Sequence, residues 1–347
     1  MLLSVVVPVY NVARCIHRGY ESLKTQTFNE FELIFVDDGS TDGGGLLCDE
    51  LAASDGRIRV IHQKNSGAGG ARNAGIEAAR GEYIVFFDID DALHPDAFLV
   101  ISRHLVQYHP EIMIFGYNEI DSTVGYNIRF VFEPITIRSN HELRDAYVER
   151  LAGLGIPNGF VWNKVYSRSF LLSHSIRFEN LKIQQDEVFN LLAYRYATRV
   201  SVIPDVLYDY FIYHKGNTRS QYIPERINIY RRVRDAFLEL KDFWKLDDVR
   251  LDVYIYKRYI DSLIFNVNYN LFHRSNGMSY HHRIATLREL MQEDDTRRSL
   301  EHLGCMVSLR NKYIYALQHR SAMLYDVFRR MDVAIAVLKK GVRKIIR

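Results

Sequence analysis

The sequence predicts an α/β protein with a mostly parallel sheet flanked by helices, followed by a helical extension. Apolar runs of strand length alternate with helical stretches from about residue 4 to residue 115, which is the pattern of a parallel sheet. After Pro224 the pattern changes to long stretches with apolar residues three and four positions apart, which is typical of helices packed on helices.

Five apolar runs are predicted to be the strands of the sheet. They are Val5–Val7, Glu32–Val36, Arg59–Ile61, Tyr83–Phe87 and Ile112–Phe115. The helices predicted between them lie near residues 13–26, 43–53, 70–79 and 95–107, and Pro95 suits an early helical position. Residues 116–215 have a mixed texture, which favours short strands and loops rich in aromatic residues.

Length and composition indicate a globular protein with two parts. A chain of 347 residues predicts two domains or one domain with a large extension, and its 48% hydrophobic residues are enough for a sizeable core. We place the boundary near residue 220, with residues 221–347 as the helical region. Three cysteines, far apart in the sequence, form neither a CxxC pair nor an even disulfide set, which favours a reducing cytosol.

The charge is divided unevenly along the chain. Within the net charge of +3, residues 216–347 carry +10 and residues 1–215 therefore carry −7. Phosphate backbones are bound by Lys and Arg, so the acidic part is unsuited to nucleic acid and we expect no nucleic-acid partner. The N-terminal residues are predicted to be a first strand and not a signal peptide, and no apolar run is long enough to span a membrane.

The last helical stretch is basic and amphipathic. Its apolar positions between residues 327 and 347 are Met331, Ile335, Leu338, Val342 and Ile345. Around them stand Arg329, Arg330, Lys339, Lys340, Arg343, Lys344 and Arg347, against a single Asp332. Such a pattern suits the surface of an anionic membrane, which would place the protein at the inner face of the cell membrane; a solvated terminal helix is the alternative.

Three carboxylates follow the fourth predicted strand. Asp88 and Asp90 are two residues apart, so both can be presented at the carboxyl end of the strand, where open α/β sheets bind ligands. One or two carboxylates together with phosphate oxygens and water suit Mg²⁺ or Mn²⁺. The alternative is an acidic, solvated turn.

Polar and glycine-rich residues follow the other strands as well. Asp38 lies after the second strand, as a candidate acceptor for a base N–H group or as part of a helix N-cap. The stretch Gly67–Ile76 opens a helix, where backbone N–H groups and Arg72 favour an anion; a glycine-rich loop with one surface arginine is the alternative.

At these residues the chain resembles the family 2 glycosyltransferases, which have the GT-A fold. The matching stretches are Ser4–Asn11, Val36–Asp42, Gly67–Ile76 and Phe87–Asp91 with Pro95. The resemblance covers residues 3–115 closely and extends more loosely to about residue 220. It implies a nucleotide-sugar donor bound by residues 1–115, an acceptor side in residues 116–220, and a divalent cation. The donor-binding residues it implies are Pro8, Tyr10, Asn11, Asp38, Arg72, Asp88 and Asp90, with Asp88 and Asp90 also at the metal.

The resemblance also implies residues on the acceptor side. Trp162, Asn163 and Lys164 match an acceptor-side motif, although a tryptophan in a mixed segment is as often part of the core. Asp186 corresponds to the catalytic base; Gln185 stands where the family commonly has glutamate, and Glu187 is the competing carboxylate. His214 is a metal or diphosphate candidate, with a structural role as the alternative.

The resemblance therefore implies a metal-dependent, inverting transfer of a sugar, with UDP as the expected nucleotide. The expected acceptor is a hydroxyl of a glycan or a lipid-linked oligosaccharide in surface polysaccharide synthesis. Two rivals remain at this point: nucleotidyl transfer to a sugar phosphate, and a catalytically inactive glycan-binding protein on the same fold.

Overall fold

A computed structural model describes residues 1–121, 123–151, 159–213, 221–308 and 311–345. The chain forms two compact units, which we describe separately. The first contains residues 1–216 and 239–245, and the second contains residues 217–238 and 246–347.

The first unit begins with alternating strands and helices. Its first strands are β1 (Leu3–Val9), β2 (Phe31–Asp37), β3 (Ile58–His62), β4 (Tyr83–Phe86), β5 (Ala92–Leu93) and β6 (Ile112–Asp121). The helices between them are α1 (Ala13–Lys24), α2 (Gly44–Ser54), α3 (Gly67–Ala78) and α4 (Ala97–Tyr108). The unit continues with β7 (Tyr126–Phe130), β8 (Ile135–Ile137), α5 (Asn140–Ala146), a π-helical turn (Tyr147–Leu151), β9 (Lys164–Ser167), α6 (Arg168–Ser173), α7 (Gln185–Tyr196) and β10 (Val200–Phe211).

One mixed sheet holds the first unit together. Among the described residues it contains ten strands, in the order β3-β2-β1-β4-β9-β6-β10-β5, with β7 beside β6 and β8 beside β10. The pairs β1–β2, β1–β4, β2–β3 and β6–β10 are parallel, whereas β9 runs antiparallel between β4 and β6. The predicted α/β class is therefore confirmed. Because β1, β2 and β4 run the same way, Asn11, Asp38 and Asp88 follow strands that end at one edge of the sheet.

The sheet differs from the sequence prediction after the fourth strand. We expected a strand at Tyr83–Phe87 followed directly by a helix, but β4 ends at Phe86 and the chain first returns to the sheet as β5, which pairs antiparallel with β10. The residues between β4 and β5 form a turn, Asp88–Asp91, that we call the carboxylate turn. A strand of two residues has no periodicity to detect, so its pairing partner could not be predicted.

The second unit is helical. The helices from this part of the chain are α8 (Arg226–Trp244), α9 (Val249–Asn266), α10 (Tyr280–Gln292), α11 (Asp294–Ser308), α12 (Lys312–Gln318) and α13 (Ala322–Ile345), with a π-helical turn at Val267–Leu271. Ile260, Leu263 and Val267, which lie three and four positions apart as expected of packed helices, are buried in its core. The predicted C-terminal helical extension is confirmed. No helix in the described part of the chain has the length and apolar character needed to cross a membrane.

Candidate active site

Asp38 fixes the loop that leads into α3. It is 2% exposed, and its Oδ1 accepts hydrogen bonds from the Ser66 backbone N–H at 2.8 Å and from Gln63 Nε2 at 2.7 Å. Its Oδ2 accepts from the Gly67 N–H at 2.8 Å. These bonds explain why α3 begins at Gly67, three residues before the predicted start. A contact of Asp38 with a base remains a prediction, and its partners Gln63 and Ser66 were not predicted.

Arg72 of α3 joins two carboxylates that are distant in the sequence. The residue is 4% exposed; Nη1 donates to Asp186 Oδ1 at 2.7 Å and Nη2 donates to Asp88 Oδ1 at 2.8 Å. Burial disfavours the charged guanidinium, but Asp186 and Asp88 outweigh burial and raise the pKa of Arg72. The fold therefore brings together three residues that the sequence analysis selected separately.

Two further contacts fasten α3 to the segment that carries Asp186. The side chain of Asn73 exchanges two hydrogen bonds with the backbone of Phe178, each at 2.9 Å. The Gly69 N–H donates to Gln185 Oε1 at 3.0 Å, and a Cβ atom at Gly69 would lie 2.8 Å from that oxygen. Gln185, which departs from the family's glutamate, therefore has a defined partner in this chain.

Exposure separates the two candidates for the base. The side chain of Asp186 is 16% exposed, whereas Glu187 as a whole residue is 2% exposed. A general base has to come within hydrogen-bond reach of the proton that it accepts. The geometry therefore favours Asp186 over Glu187.

The carboxylate turn holds its three aspartates in different environments. Asp91 is buried, and its oxygens accept from the Tyr208 hydroxyl at 2.8 Å and from the Phe211 N–H at 2.9 Å. Burial, together with the charges of Asp90 and Asp88, raises the pKa of Asp91 well above its ordinary value. Asp91 therefore anchors the turn to β10. The pKa of Asp90 is raised to about 6, first by burial and then by the charge of Asp88.

The residues of this turn fit a cation that is shared with a phosphorylated ligand. Asp88 is 29% exposed at its side chain and uses Oδ1 for Arg72, while no cationic side chain of the described residues bonds the Asp90 carboxylate. Two neighbouring carboxylates whose charges repel would be stabilised by a bound cation. Within the described ranges, no group of three or more His, Cys, Asp or Glu residues could hold a metal ion. Mg²⁺ and Mn²⁺ sites of this type take phosphate and water as their other ligands. His214 lies outside the described residues.

The loop after β1 is tied to the loop after β2. Asn11 adopts a left-handed conformation with φ of 52°, and its Oδ1 accepts from the Thr41 N–H at 2.8 Å. Pro8 lies opposite Val36 in the parallel pair β1–β2. Tyr10 is 50% exposed beside them. The three predicted donor residues of this segment therefore lie at the same edge of the sheet as Asp38.

The predicted acceptor residues are buried, which does not support direct contact of their side chains with an acceptor. Trp162 is 2% exposed and stacks on Tyr208 and Tyr210, with ring centroids 4.5 and 5.3 Å apart. An aromatic residue in a mixed segment has the same sequence signature in a core as on a sugar-binding surface. The structure favours the core alternative for Trp162.

Asn163 and Lys164 are buried with it. Lys164 Nζ donates to Asn163 Oδ1 at 2.8 Å, and Asn163 Nδ2 donates to the Phe115 carbonyl at 3.3 Å. Burial lowers the pKa of Lys164 to about 7, against the opposing charge of Asp186. Both side chains are therefore held by buried hydrogen bonds, and Lys164 lies near enough to Asp186 to interact with its charge.

His62 couples β3 to the neighbouring carboxylates, and we expect it to make stability depend on pH. Its Nδ1 lies 2.9 Å from Asp37 Oδ2 and its Nε2 lies 3.0 Å from Asp49 Oδ1. The hydrogen bonds to Asp37 and Asp49 raise the pKa of His62 above 6.5. The stabilisation is therefore complete below about pH 6.5 and is lost as pH rises through the raised value.

Chemical denaturation of the wild type and His62→Gln at a series of pH values tests this. The difference in unfolding free energy should be largest near pH 6 and shrink towards pH 8. A difference that stays constant or grows with pH would contradict it. His17, an exposed histidine of α1, provides the control variant His17→Gln, for which we expect no such trend.

Comparison with known proteins shows the family to which the chain belongs. A family model described as glycosyl transferase family 2 matches residues 4–171. The chain is 31% identical over 278 residues to the uncharacterized glycosyltransferase EpsJ of Bacillus subtilis. This match covers 76% of the chain and 78% of EpsJ. The chain belongs to glycosyltransferase family 2.

Another relative and a solved structure are similar to this family 2 glycosyltransferase. This chain is 35% identical over 221 residues to the putative glycosyltransferase EpsH of Bacillus subtilis, and the match spans 61% of each protein. The crystal structure of residues 1–349 of S. aureus TarS in complex with UDP-GlcNAc has a TM-score of 0.65 and 22% identity. That likeness covers 94% of this chain and 89% of the TarS chain, and it shows the shared fold. The predicted family and GT-A fold are confirmed, and nucleotidyl transfer is not supported.

Proposed function

We propose that this glycosyltransferase moves a sugar from a UDP-sugar donor to a hydroxyl group of a glycan or a lipid-linked acceptor, with inversion at the anomeric carbon. The observation that carries the proposal is Arg72, whose buried guanidinium bonds Asp88 on one side and Asp186 on the other. Asp88, the proposed donor-side carboxylate, and Asp186, the proposed acceptor-side carboxylate, therefore both accept hydrogen bonds from one guanidinium group.

The donor would bind at the edge where β1, β2 and β4 end. Tyr10 is exposed there and offers a ring on which the uracil base can stack. Asp38 holds the loop before α3 by accepting hydrogen bonds from the Ser66 and Gly67 N–H groups, which fixes the start of the helix that carries Arg72. Asp88 and Asp90 would hold Mn²⁺ or Mg²⁺, which when bound offsets the charge that develops on the departing diphosphate.

Asp186 would act as the general base. Its carboxylate takes the proton of the acceptor hydroxyl while that oxygen forms a bond to the anomeric carbon and the bond to the diphosphate breaks. The proton ends on Asp186, and the electron pair of the broken bond leaves with UDP. The ion pair with Arg72 holds the carboxylate in one orientation, which supports this role.

The choice of UDP is supported by similarity, since the TarS structure that shares the fold contains UDP-GlcNAc. A panel of nucleotide sugars with Mn²⁺ tests it, with melting temperature as the binding signal and slow hydrolysis as the activity signal. We expect a UDP-sugar to raise the melting temperature most and to release UDP. Release of pyrophosphate, or stabilisation by no nucleotide sugar, would contradict the proposal.

A lipid-linked acceptor suits the exposed face of α13, which we propose lies on an anionic membrane. Met323, Val327, Met331 and Ile335 follow one another at intervals of four and are all exposed. After Asp332 the sequence contains five basic residues and no acidic residue. Apolar side chains entering the interface beside basic ones are the usual arrangement of a surface-bound helix.

Vesicle sedimentation tests the membrane proposal. The double variant Met331→Gln and Ile335→Gln should bind vesicles containing phosphatidylglycerol several-fold more weakly than the wild type, while neither protein binds pure phosphatidylcholine. Leu46→Gln, which changes an exposed leucine of α2, is the matched control and should bind like the wild type. Unchanged binding by the double variant would contradict a membrane role for this face.

A further inference from the structure

Helix α1 lies directly against the carboxylate turn. A Cβ atom at Gly19 would lie 2.2 Å from the carbonyl oxygen of Ile89, so only glycine permits this approach. The preceding residue, Arg18, donates from Nη2 to the carbonyl oxygen of Asp90. Two consecutive residues of α1 therefore contact the backbone of two consecutive residues of the turn.

The segment that ends β10 also contacts the Asp90 carbonyl oxygen, beside Arg18. The Tyr213 hydroxyl donates to the Asp90 carbonyl oxygen at 3.0 Å and also contacts Arg18 Nη2. The guanidinium lies over the Phe211 ring, 4.9 Å from its centroid. Because Phe211 also donates its N–H to Asp91, the end of β10 and α1 hold the turn together.

The direction of the Asp90 side chain depends on the backbone that these contacts fix. A peptide that is free to rotate would swing both its carbonyl and the adjoining carboxylate. Carboxylates that share a cation have to be held in position before the cation binds, and partners of the ligands supply that order.

We propose that Arg18 is a positioning residue for the cation site, which fixes the Asp90 peptide together with Tyr213 so that the Asp88 and Asp90 carboxylates face one ion. The inference rests on the proposed function, because it assumes that these carboxylates bind a cation. It adds a residue outside the motifs of the sequence analysis, in which Arg18 is an ordinary arginine of a predicted helix.

A purely electrostatic role and a positioning role of Arg18 predict opposite changes in cation affinity when Arg18 is replaced. Arg14 serves as the control for the electrostatic role. Arg14 is exposed on the same helix, and the charges of both arginines act on Asp90 in the same direction. If Arg18 acted only as a charge, its removal would relieve repulsion and a cation would bind more tightly. If Arg18 positions the turn, its removal weakens cation binding despite that relief.

The test is a titration of the full-length protein with Mn²⁺ in the presence of UDP, with free Mn²⁺ measured by electron paramagnetic resonance. Arg18→Met should weaken Mn²⁺ binding about 10- to 100-fold, the usual effect of removing a partner of a metal ligand. Tyr213→Phe, which keeps the ring and removes only the hydroxyl, should weaken it less. Arg14→Met should bind Mn²⁺ as tightly as the wild type or more tightly. Circular dichroism melting checks that each variant is folded.

The outcomes distinguish the inference from the function on which it rests. If the wild type binds Mn²⁺ and both Arg18→Met and Tyr213→Phe bind it equally well, the positioning role is wrong while the cation site stands. If the wild type binds UDP but no Mn²⁺, the cation site and the positioning role are both overturned. If Arg18→Met does not fold, Tyr213→Phe alone decides.

Discussion

Replacing Asp186 with asparagine should reduce the rate of sugar transfer about 100- to 10,000-fold, the range that a general base contributes. The amide oxygen of asparagine can still accept the hydrogen bond from Arg72, so the fold of the site should survive. The amide takes no proton at neutral pH, so the acceptor hydroxyl remains a poor nucleophile. Steady-state release of UDP measures the rate, and calorimetry should show donor affinity within a few-fold of the wild type.

Glu187→Gln is the matched control for Asp186→Asn. Because Glu187 is buried, its replacement should change stability more than catalysis, and the folded fraction should keep a rate near that of the wild type. If Glu187→Gln were folded but inactive while Asp186→Asn stayed active, the base would be Glu187 and not Asp186.

Replacing Asp90 with asparagine should reduce cation-dependent transfer about 100-fold or more, because a neutral amide is a poor ligand for a hard divalent cation. The same variant should unfold at the same or a higher temperature than the metal-free wild type at pH 7.5. The raised pKa of Asp90 means that its charged form is disfavoured by burial and by Asp88, and asparagine removes that charge. Transfer with metal and melting without metal are the two measurements.

The raised pKa of Asp90 also sets a pH window. The metal-free wild type should lose stability as pH rises from about 4, the ordinary value for aspartate, through about 6, and Asp90→Asn should lose less. In the same window a cation has to displace a proton, so Mn²⁺ affinity of the wild type should fall as pH drops below about 6. Asp205→Asn, which changes an aspartate outside the site, is the control and should behave like the wild type. Near-normal sugar transfer by Asp90→Asn would contradict the proposed role of Asp90 as a ligand of the cation.

Much of the candidate site at the ends of β1, β2 and β4 could be predicted from short-range patterns. A buried strand followed by a carboxylate is a local signal, and parallel strands necessarily bring such ends to one edge. This is why Asp38, Asp88 and Arg72 were selected before their contacts were known. This sequence pattern did not reveal that the Asp38 carboxylate accepts hydrogen bonds from the loop before α3, because Gln63 and Ser66 are ordinary polar residues in the sequence.

The rest of the site depends on contacts between distant segments. Tyr208 reaches Asp91 across 117 positions, and Arg18 reaches Tyr213 across 195. No periodicity encodes such pairs, so the support of the carboxylate turn could not be predicted. For Trp162 the sequence left an acceptor contact and a core position open, and the burial of the ring favours the core position.

The most direct test of the account is a crystal structure of the protein with UDP and Mn²⁺, using anomalous scattering to locate the metal. We expect one manganese peak between the carboxylates of Asp88 and Asp90, bound to the diphosphate, with the uracil at the edge near Tyr10 and Asp38. A diphosphate bound elsewhere, or a manganese peak with neither carboxylate as a ligand, would contradict the proposed active site.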